Sequence, residues 1–218
     1  MIRVKICGVT TVEDARFALD RGADALGLNF VPGTPRCLEV EDAAAISAAL
    51  SPFGARVGVF VDETAERVED VARRAGLDTV QLHGSETPET CRRLLGQGLR
   101  VIRGLRVRGE ETLAEAERFE GCTILLDAYI EGELGGTGRT FDWGLARELA
   151  ARRPIILSGG LRPENVADAV RRVRPYAVDS SSGVEGDRPG RKDPGRVRRF
   201  IENAREAARA LGAVEEES

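Results

Sequence analysis

Arg3-Val4-Lys5-Ile6-Cys7-Gly8 runs into Thr10-Thr11-Val12-Glu13-Asp14, so a short apolar, strand-like segment stops at a thiol and a glycine before a helix begins. Thr10 and Thr11 ahead of Glu13 and Asp14 form a capping-box-like start, in which a hydroxyl accepts from the first free backbone N–H groups. This strand-then-helix unit recurs along the chain. Strands are expected at Val4–Ile6, Ala25–Asn29, Arg56–Val61, Thr79–Leu82, Arg100–Gly104, Thr123–Asp127, Ile155–Leu157 and Ala177–Asp179. The segments after them suit helices: Thr11–Arg21, Glu41–Leu50, Thr64–Ala75, Pro88–Leu95, Glu110–Arg118, Asp142–Ala151, Pro163–Val173 and Pro194–Leu211. Pro163 and Pro194 fit first helical positions, and Asp62 is expected to cap the third helix.

Short β-branched runs alternating with helices are the pattern of a parallel sheet with helical crossovers. Eight such units predict an α/β fold, a single-domain (β/α)8 TIM barrel over residues 1–212, with an acidic tail at 213–218 expected to fray. An open doubly wound sheet would show fewer strands or a nucleotide fingerprint. No G-x-G-x-x-G follows the first strand, and the glycine-rich Gly132–Arg139 loop has no Walker lysine.

The chain has 218 residues, 42% of them hydrophobic, enough for one large core. A net charge of −4 with 31% charged residues mixes both signs over a solvated surface and does not favour nucleic acid. Arg171-Arg172 and Arg196 to Arg199 lie in helix-like stretches with acids nearby and read as solvated faces. Cys7, Cys37, Cys91 and Cys122 are far apart without C-x-x-C spacing, so neither a zinc site nor a disulfide framework is expected. The start lacks a signal-peptide apolar stretch, and no run nears the ~20 residues needed to span a bilayer. A cytoplasmic protein without membrane contact is expected.

In a barrel of this kind the strands' C-terminal ends share one mouth, where active sites lie. Cys7, Asn29, Asp62, His83, Arg103, Asp127 and Asp179 are expected there. Asp127 ends the apolar run Ile124-Leu125-Leu126, which a cap does not readily explain. Three glycine-bearing loops follow the last three strands: Gly135-Gly136-Thr137-Gly138, Ser158-Gly159-Gly160 and Ser180-Ser181-Ser182-Gly183. Glycine lets backbone N–H groups converge on an anion, and loops after strands seven and eight are the usual phosphate site of such barrels. A phosphate-bearing small molecule is the expected partner.

Two readings of Cys7 stay open from the residues: a small buried hydrophobe, or a thiol whose ionisation Lys5, on the same strand face, favours. A thiol on strand one, a carboxyl on strand six and a phosphate cradle suggest proton transfer on a sugar phosphate without a cofactor or metal. Burial raises a carboxyl's pKa and a cation lowers a thiol's, which suits an acid and a base.

The chain resembles phosphoribosylanthranilate isomerase of tryptophan biosynthesis over nearly its whole length. The motifs that carry the resemblance are Lys5-Ile6-Cys7-Gly8, Thr34-Pro35-Arg36, Val57-Gly58-Val59-Phe60-Val61, Gln81-Leu82-His83-Gly84, Leu126-Asp127-Ala128, Gly135-Gly136-Thr137-Gly138 with Phe141-Asp142-Trp143, Ser158-Gly159-Gly160-Leu161 with Pro163-Glu164-Asn165-Val166, and Ser181-Ser182-Gly183-Val184-Glu185. The resemblance implies an Amadori rearrangement of N-(5-phosphoribosyl)anthranilate to 1-(2-carboxyphenylamino)-1-deoxyribulose 5-phosphate. It makes Asp127 the general acid on the furanose ring oxygen and Cys7 the general base at C2′. Arg36 would pair with the anthranilate carboxylate, Asp179 would line the site, and Gly136, Gly138, Gly159, Gly160, Ser181, Ser182 and Gly183 would cradle the phosphate. Lys5, His83 and Arg103 are possible support, with His83 read as structural.

Ser158, Ser180, Thr34 and Arg103 depart from the family's commoner alanine, valine, serine and lysine, and Ser180 places a hydroxyl near the phosphate loop. The related isomerisation of histidine biosynthesis is the nearest alternative enzyme, but those barrels use an aspartate on strand one, where Cys7 stands here. A phosphate-binding barrel without catalysis would not need both Cys7 and Asp127. Monomer and homodimer both remain open.

Overall fold

A computed structural model describes residues 1–50, 52–107, 109–127 and 143–216. Its strands are β1 (Arg3–Ile6), β2 (Ala25–Asn29), β3 (Ala55–Phe60), β4 (Thr79–Leu82), β5 (Arg100–Arg106), β6 (Thr123–Asp127), β7 (Ile155–Ser158) and β8 (Ala177–Ser180). Each pairs in parallel with its neighbours in sequence, and β8 pairs with β1 to close the barrel. The intervening helices are α1 (Val12–Asp20), α2 (Val40–Ala48), α3 (Ala65–Ala75), α4 (Pro88–Gly96), α5 (Glu111–Glu117), α6 (Trp143–Arg152), α7 (Val166–Val173) and α8 (Pro194–Glu216).

Strand alternation divides the apolar residues into two cores. Val4, Ile6, Leu26, Leu28, Phe60, Leu82, Ile124, Leu126, Leu157 and Val178 point outward and pack with the helices in one large cluster. Their strand neighbours Val57, Ile102, Leu125, Ile156 and Ala177 form a separate cluster without helical members, which is the plug of the lumen. Position parity therefore tells which side chains above this plug face the mouth: Cys7, His83 and Asp127 do, continuing the inward series of β1, β4 and β6.

Helix starts follow the expected chemistry with two corrections. Thr11, Thr64 and Thr87 accept from backbone N–H groups at the starts of α1, α3 and α4, and Pro88 and Pro194 open α4 and α8. Asp62 does not cap α3. Its backbone sits in the left-handed region at φ 55°, its N–H donates to Glu86 Oε1, and its carboxylate accepts from the backbone and hydroxyl of Ser85. Those bonds tie the β3–α3 loop to the β4–α4 loop and hold a conformation that costs a non-glycine residue energy. Pro163 does not open α7 either. The Asn165 side chain accepts from the Arg162 N–H, making residues 162–165 a turn, and the helix starts at Val166. Helix α8 runs on to Glu216, past the boundary at residue 212.

Candidate active site

Parallel pairing of β1 with β8 sets Lys5 beside Asp179, and Lys5 Nζ donates to Asp179 Oδ1 at 3.0 Å. Both side chains are almost wholly buried above the lumen plug, and Ser158 Oγ reaches Asp179 Oδ2 at 3.3 Å. Burial alone would draw the Lys5 ammonium down, but the Asp179 charge, with Cys7 beside it, more than compensates and holds Lys5 above its ordinary value.

Cys7 follows β1, with its backbone N–H on Ser180 O at 2.8 Å. Its thiol lies against Gly27 of β2, where an added Cβ would come within 2.6 Å of Sγ, so the strand's missing side chain makes the seat for the sulfur. Burial pushes the Cys7 thiol up, Asp179 adds to that rise, and the opposing pulls of Lys5 and Lys192 do not cancel it. This corrects the expected origin of a thiolate. Lys5 does act in the expected sense, but its charge is already engaged by Asp179, and desolvation wins. Replacing Asp179 by Asn should therefore lower the Cys7 ionisation midpoint, because it removes a negative charge and leaves Lys5 free to face the sulfur. Site-resolved alkylation against pH reads this directly, with an unchanged midpoint counting against the network. Asn keeps the shape of the side chain but leaves Lys5 buried without its anion, at a cost of about 3–5 kcal/mol of stability.

Arg36, in the β2–α2 loop, is gripped by Glu185. Nε donates to Oε1 and Nη2 to Oε2, each at 2.7 Å, a side-on bidentate pair. Lys192 Nζ also donates to Glu185 Oε1 at 3.0 Å and to Ser181 O at 3.1 Å. Burial works against the Glu185 charge, yet Arg36 and Lys192 together keep the carboxyl below its ordinary value. Burial in turn draws Lys192 down despite Glu185. The end-on edge of the Arg36 guanidinium, carrying the Nη1 donors, points away from this pairing. Glu185 closes a motif in the sequence without a role of its own there, and nothing in the sequence singles out Lys192. Their signal was an acid and a cation flanking a loop that has to place an arginine from another loop.

The phosphate-loop residues divide. Gly159 and Gly160 have φ of 86° and 64°, a region only glycine enters without strain. Ser181 leads into a single 3-10 turn over Ser182–Val184. A Cβ on Gly183 would lie 2.0 Å from Leu161 O, so the loops after β7 and β8 approach each other only because that residue has no side chain. Gly136 and Gly138 lie outside the described residues. Ser180 is on the outward face of β8, and its hydroxyl lies near the phosphate loop as expected, donating to Leu161 O at 2.7 Å beside Gly183.

Arg103 is not at the mouth. Parity along β5, which runs on to Arg106, turns Arg103 outward with Val101 and Leu105. There it donates to Glu86, Leu82 O and Gly84 O and stacks over Phe119, bracing the loop that carries His83. Asn29 accepts from the Val31 N–H at 2.7 Å and shapes its own loop. His83 comes within 3.3 Å of Asp127 through Nε2 and Oδ2, a contact the sequence reading did not anticipate.

Around the barrel the order β6, β7, β8, β1 places Asp127 and Cys7 on either side of the β7 and β8 loops. A group anchored at those loops lies between a carboxyl and a thiol. Residues 4–203 match the family model described as N-(5'phosphoribosyl)anthranilate (PRA) isomerase. The N-(5'-phosphoribosyl)anthranilate isomerase of Trichlorobacter lovleyi is 51% identical over 208 residues, 95% of this chain and 100% of the relative. That of Rubrobacter xylanophilus is 50% identical over 206 residues, 94% of this chain and 100% of the relative. The Thermotoga maritima phosphoribosyl anthranilate isomerase structure superposes with a TM-score of 0.87 at 47% identity, covering 94% of this chain and 100% of that one. A further structure, in complex with reduced 1-(o-carboxyphenylamino)-1-deoxyribulose 5-phosphate, gives 0.85 at 45% identity and the same coverage. With the family model matched over most of its length and relatives near half identical from end to end, the chain belongs to the N-(5'-phosphoribosyl)anthranilate isomerase family.

Proposed function

We propose that this chain converts N-(5′-phosphoribosyl)anthranilate to 1-(2-carboxyphenylamino)-1-deoxyribulose 5-phosphate in tryptophan biosynthesis, by acid and base side chains alone. The observation that carries the reading is the bracketing of the β7 and β8 loops by Asp127 and Cys7. A sugar held there by its 5′-phosphate offers its ring to both groups without moving.

Asp127 donates a proton to the furanose oxygen as the C1′–O bond breaks. The anthranilate nitrogen lone pair closes a C1′=N bond and gives a Schiff base. The thiolate of Cys7 removes the C2′ proton, and those electrons form the C1′=C2′ bond of an enolamine. Loss of the enol proton and protonation at C1′ yield the ketone. Lys5 and Asp179 support the base from below. Arg36, braced by Glu185, offers its end-on edge to the anthranilate carboxylate, a planar fork matching two oxygens.

Substrate fluorescence provides the test. Adding the purified protein to N-(5′-phosphoribosyl)anthranilate should make the anthranilate emission fall, and a flat trace with folded protein removes the reading. Arg36→Ala should raise KM about 10- to 100-fold with kcat nearly unchanged, since its carboxylate partner is present in ground and transition states alike. A kcat loss of that size at constant KM would give Arg36 a different role.

The relative solved from Thermotoga maritima is dimeric. Here Phe53 and Tyr176 are exposed beside a cavity of about 670 Å³ at the barrel end opposite the site, which supports a homodimer for this chain too. Sedimentation equilibrium distinguishes it from a monomer. Among the described residues no helix is long and apolar enough to cross a membrane.

A further inference from the structure

Gln81 sits on the inward face of β4, only 2% exposed, and its Nε2 lies 3.1 Å from Nδ1 of His83. Its Oε1 is buried without a hydrogen-bond partner. An orphaned carbonyl in a barrel lumen costs stability that an apolar side chain would avoid, so its amide is there for the one contact it makes. An amide NH2 only donates, and a neutral imidazole that accepts at Nδ1 carries its proton at Nε2. That nitrogen is 3.3 Å from Asp127 Oδ2. The ring has room for this pose because β5 offers Gly104, where a Cβ would fall 2.6 Å from Nδ1.

We propose that Gln81 and His83 are positioning residues for the acid: Gln81 fixes the Nε2–H tautomer of His83, and Nε2–H holds Asp127 Oδ2 so that the reacting proton is carried on Oδ1. This rests on the reading of Asp127 as the general acid. The bond to Oδ2 is weak while the carboxyl is neutral and strengthens as negative charge develops on it during proton delivery, so it favours the transition state over the ground state. Of the other charged groups around the ring, Glu86 is held by Arg103 and by the Asp62 and Gly84 N–H groups and Asp62 by Ser85, while Arg106, exposed at the end of β5, stands opposite Asp127 in strand register.

His83 is the chain's single histidine, so its imidazole nitrogens can be read in ¹⁵N spectra without assignment. Ligand-free protein should show a protonated Nε2 and an unprotonated Nδ1. Gln81→Leu should mix the tautomers, and Gln81→Glu, whose carboxylate accepts from Nδ1–H, should place a proton on Nδ1. Both variants, and His83→Asn, should lose kcat about 10- to 100-fold with KM within about twofold. An Nδ1–H tautomer in the wild type, spectra unaltered in Gln81→Leu, or full kcat in His83→Asn would overturn the proposal. If the wild type itself does not turn over N-(5′-phosphoribosyl)anthranilate, it is the assigned reaction that fails, and the spectra alone then decide the tautomer arrangement for or against.

Discussion

Asp127→Asn should lower kcat by about 10²- to 10⁴-fold while KM for N-(5′-phosphoribosyl)anthranilate moves only a few-fold. Asn keeps the shape of the side chain and an oxygen that can accept from His83 Nε2, so strand β6 and its pairing with Ser158 of β7 are preserved. What it lacks is an acidic proton. Without one the furanose oxygen would have to leave as an alkoxide, and the reaction stops before any Schiff base forms. The consequence is specific: no C2′ proton should exchange with deuterated solvent in this variant, because the acidifying C1′=N bond is never made. Stopped-flow fluorescence gives kcat and mass spectrometry of recovered substrate gives exchange. Near-normal turnover in Asp127→Asn would remove the carboxyl from the mechanism.

Much of the architecture that carries this chemistry is legible in the residues. Alternation of apolar runs with helix signals fixes eight units because each strand must be apolar on the face that meets the helices, and in small barrels on the lumen side as well. Strand ends are less legible. Arg100 to Arg106 continues as strand past Gly104, because the parallel ladder with β6 supplies partners as far as Arg106 opposite Asp127, and nothing local in the sequence reports a partner. Two residues of extra strand leave parity untouched, and it is parity that corrects the reading of Arg103: as an odd-numbered neighbour of Val101 and Leu105 it faces the helices. The same counting puts Ser180 outside and Gln81 inside. Asp62 departs from the expected cap for a different reason. A carboxylate before a helix caps it only if the backbone enters in an extended conformation, and the bonds to Glu86 and from Ser85 hold Asp62 in the left-handed region instead. Glu185 and Lys192 illustrate the remaining gap, since the Arg36 they serve lies about 150 residues away in sequence and meets them only through barrel closure.

Cys7→Ala should be as damaging as the loss of the acid, about 10²- to 10⁴-fold in kcat, but at a different step. The thiol sits in the space left by Gly27, so trimming it to a methyl leaves a small gap and little structural cost. Asp127 still opens the ring, and the Schiff base then waits for a base that is absent. C2′ exchange is therefore lost here too, yet ring opening is not. Trapping with borohydride should capture a reduced open-chain adduct from Cys7→Ala and none from Asp127→Asn. The pH dependence follows from burial. Because desolvation makes the half-buried thiol ionise above its ordinary value, the base form is scarce near neutrality and grows as pH rises, so wild-type kcat/KM should climb through the alkaline range on the limb that reports Cys7. That limb should disappear in Cys7→Ala and shift to lower pH in Asp179→Asn, which removes one of the charges holding the thiol up. A wild-type profile flat from acid to alkaline pH, with Cys7→Ala equally flat and equally fast, would reject the thiol as base. A limb that moves with Asp179 would tie the buried pair beneath Cys7 to the rate of proton abstraction above it.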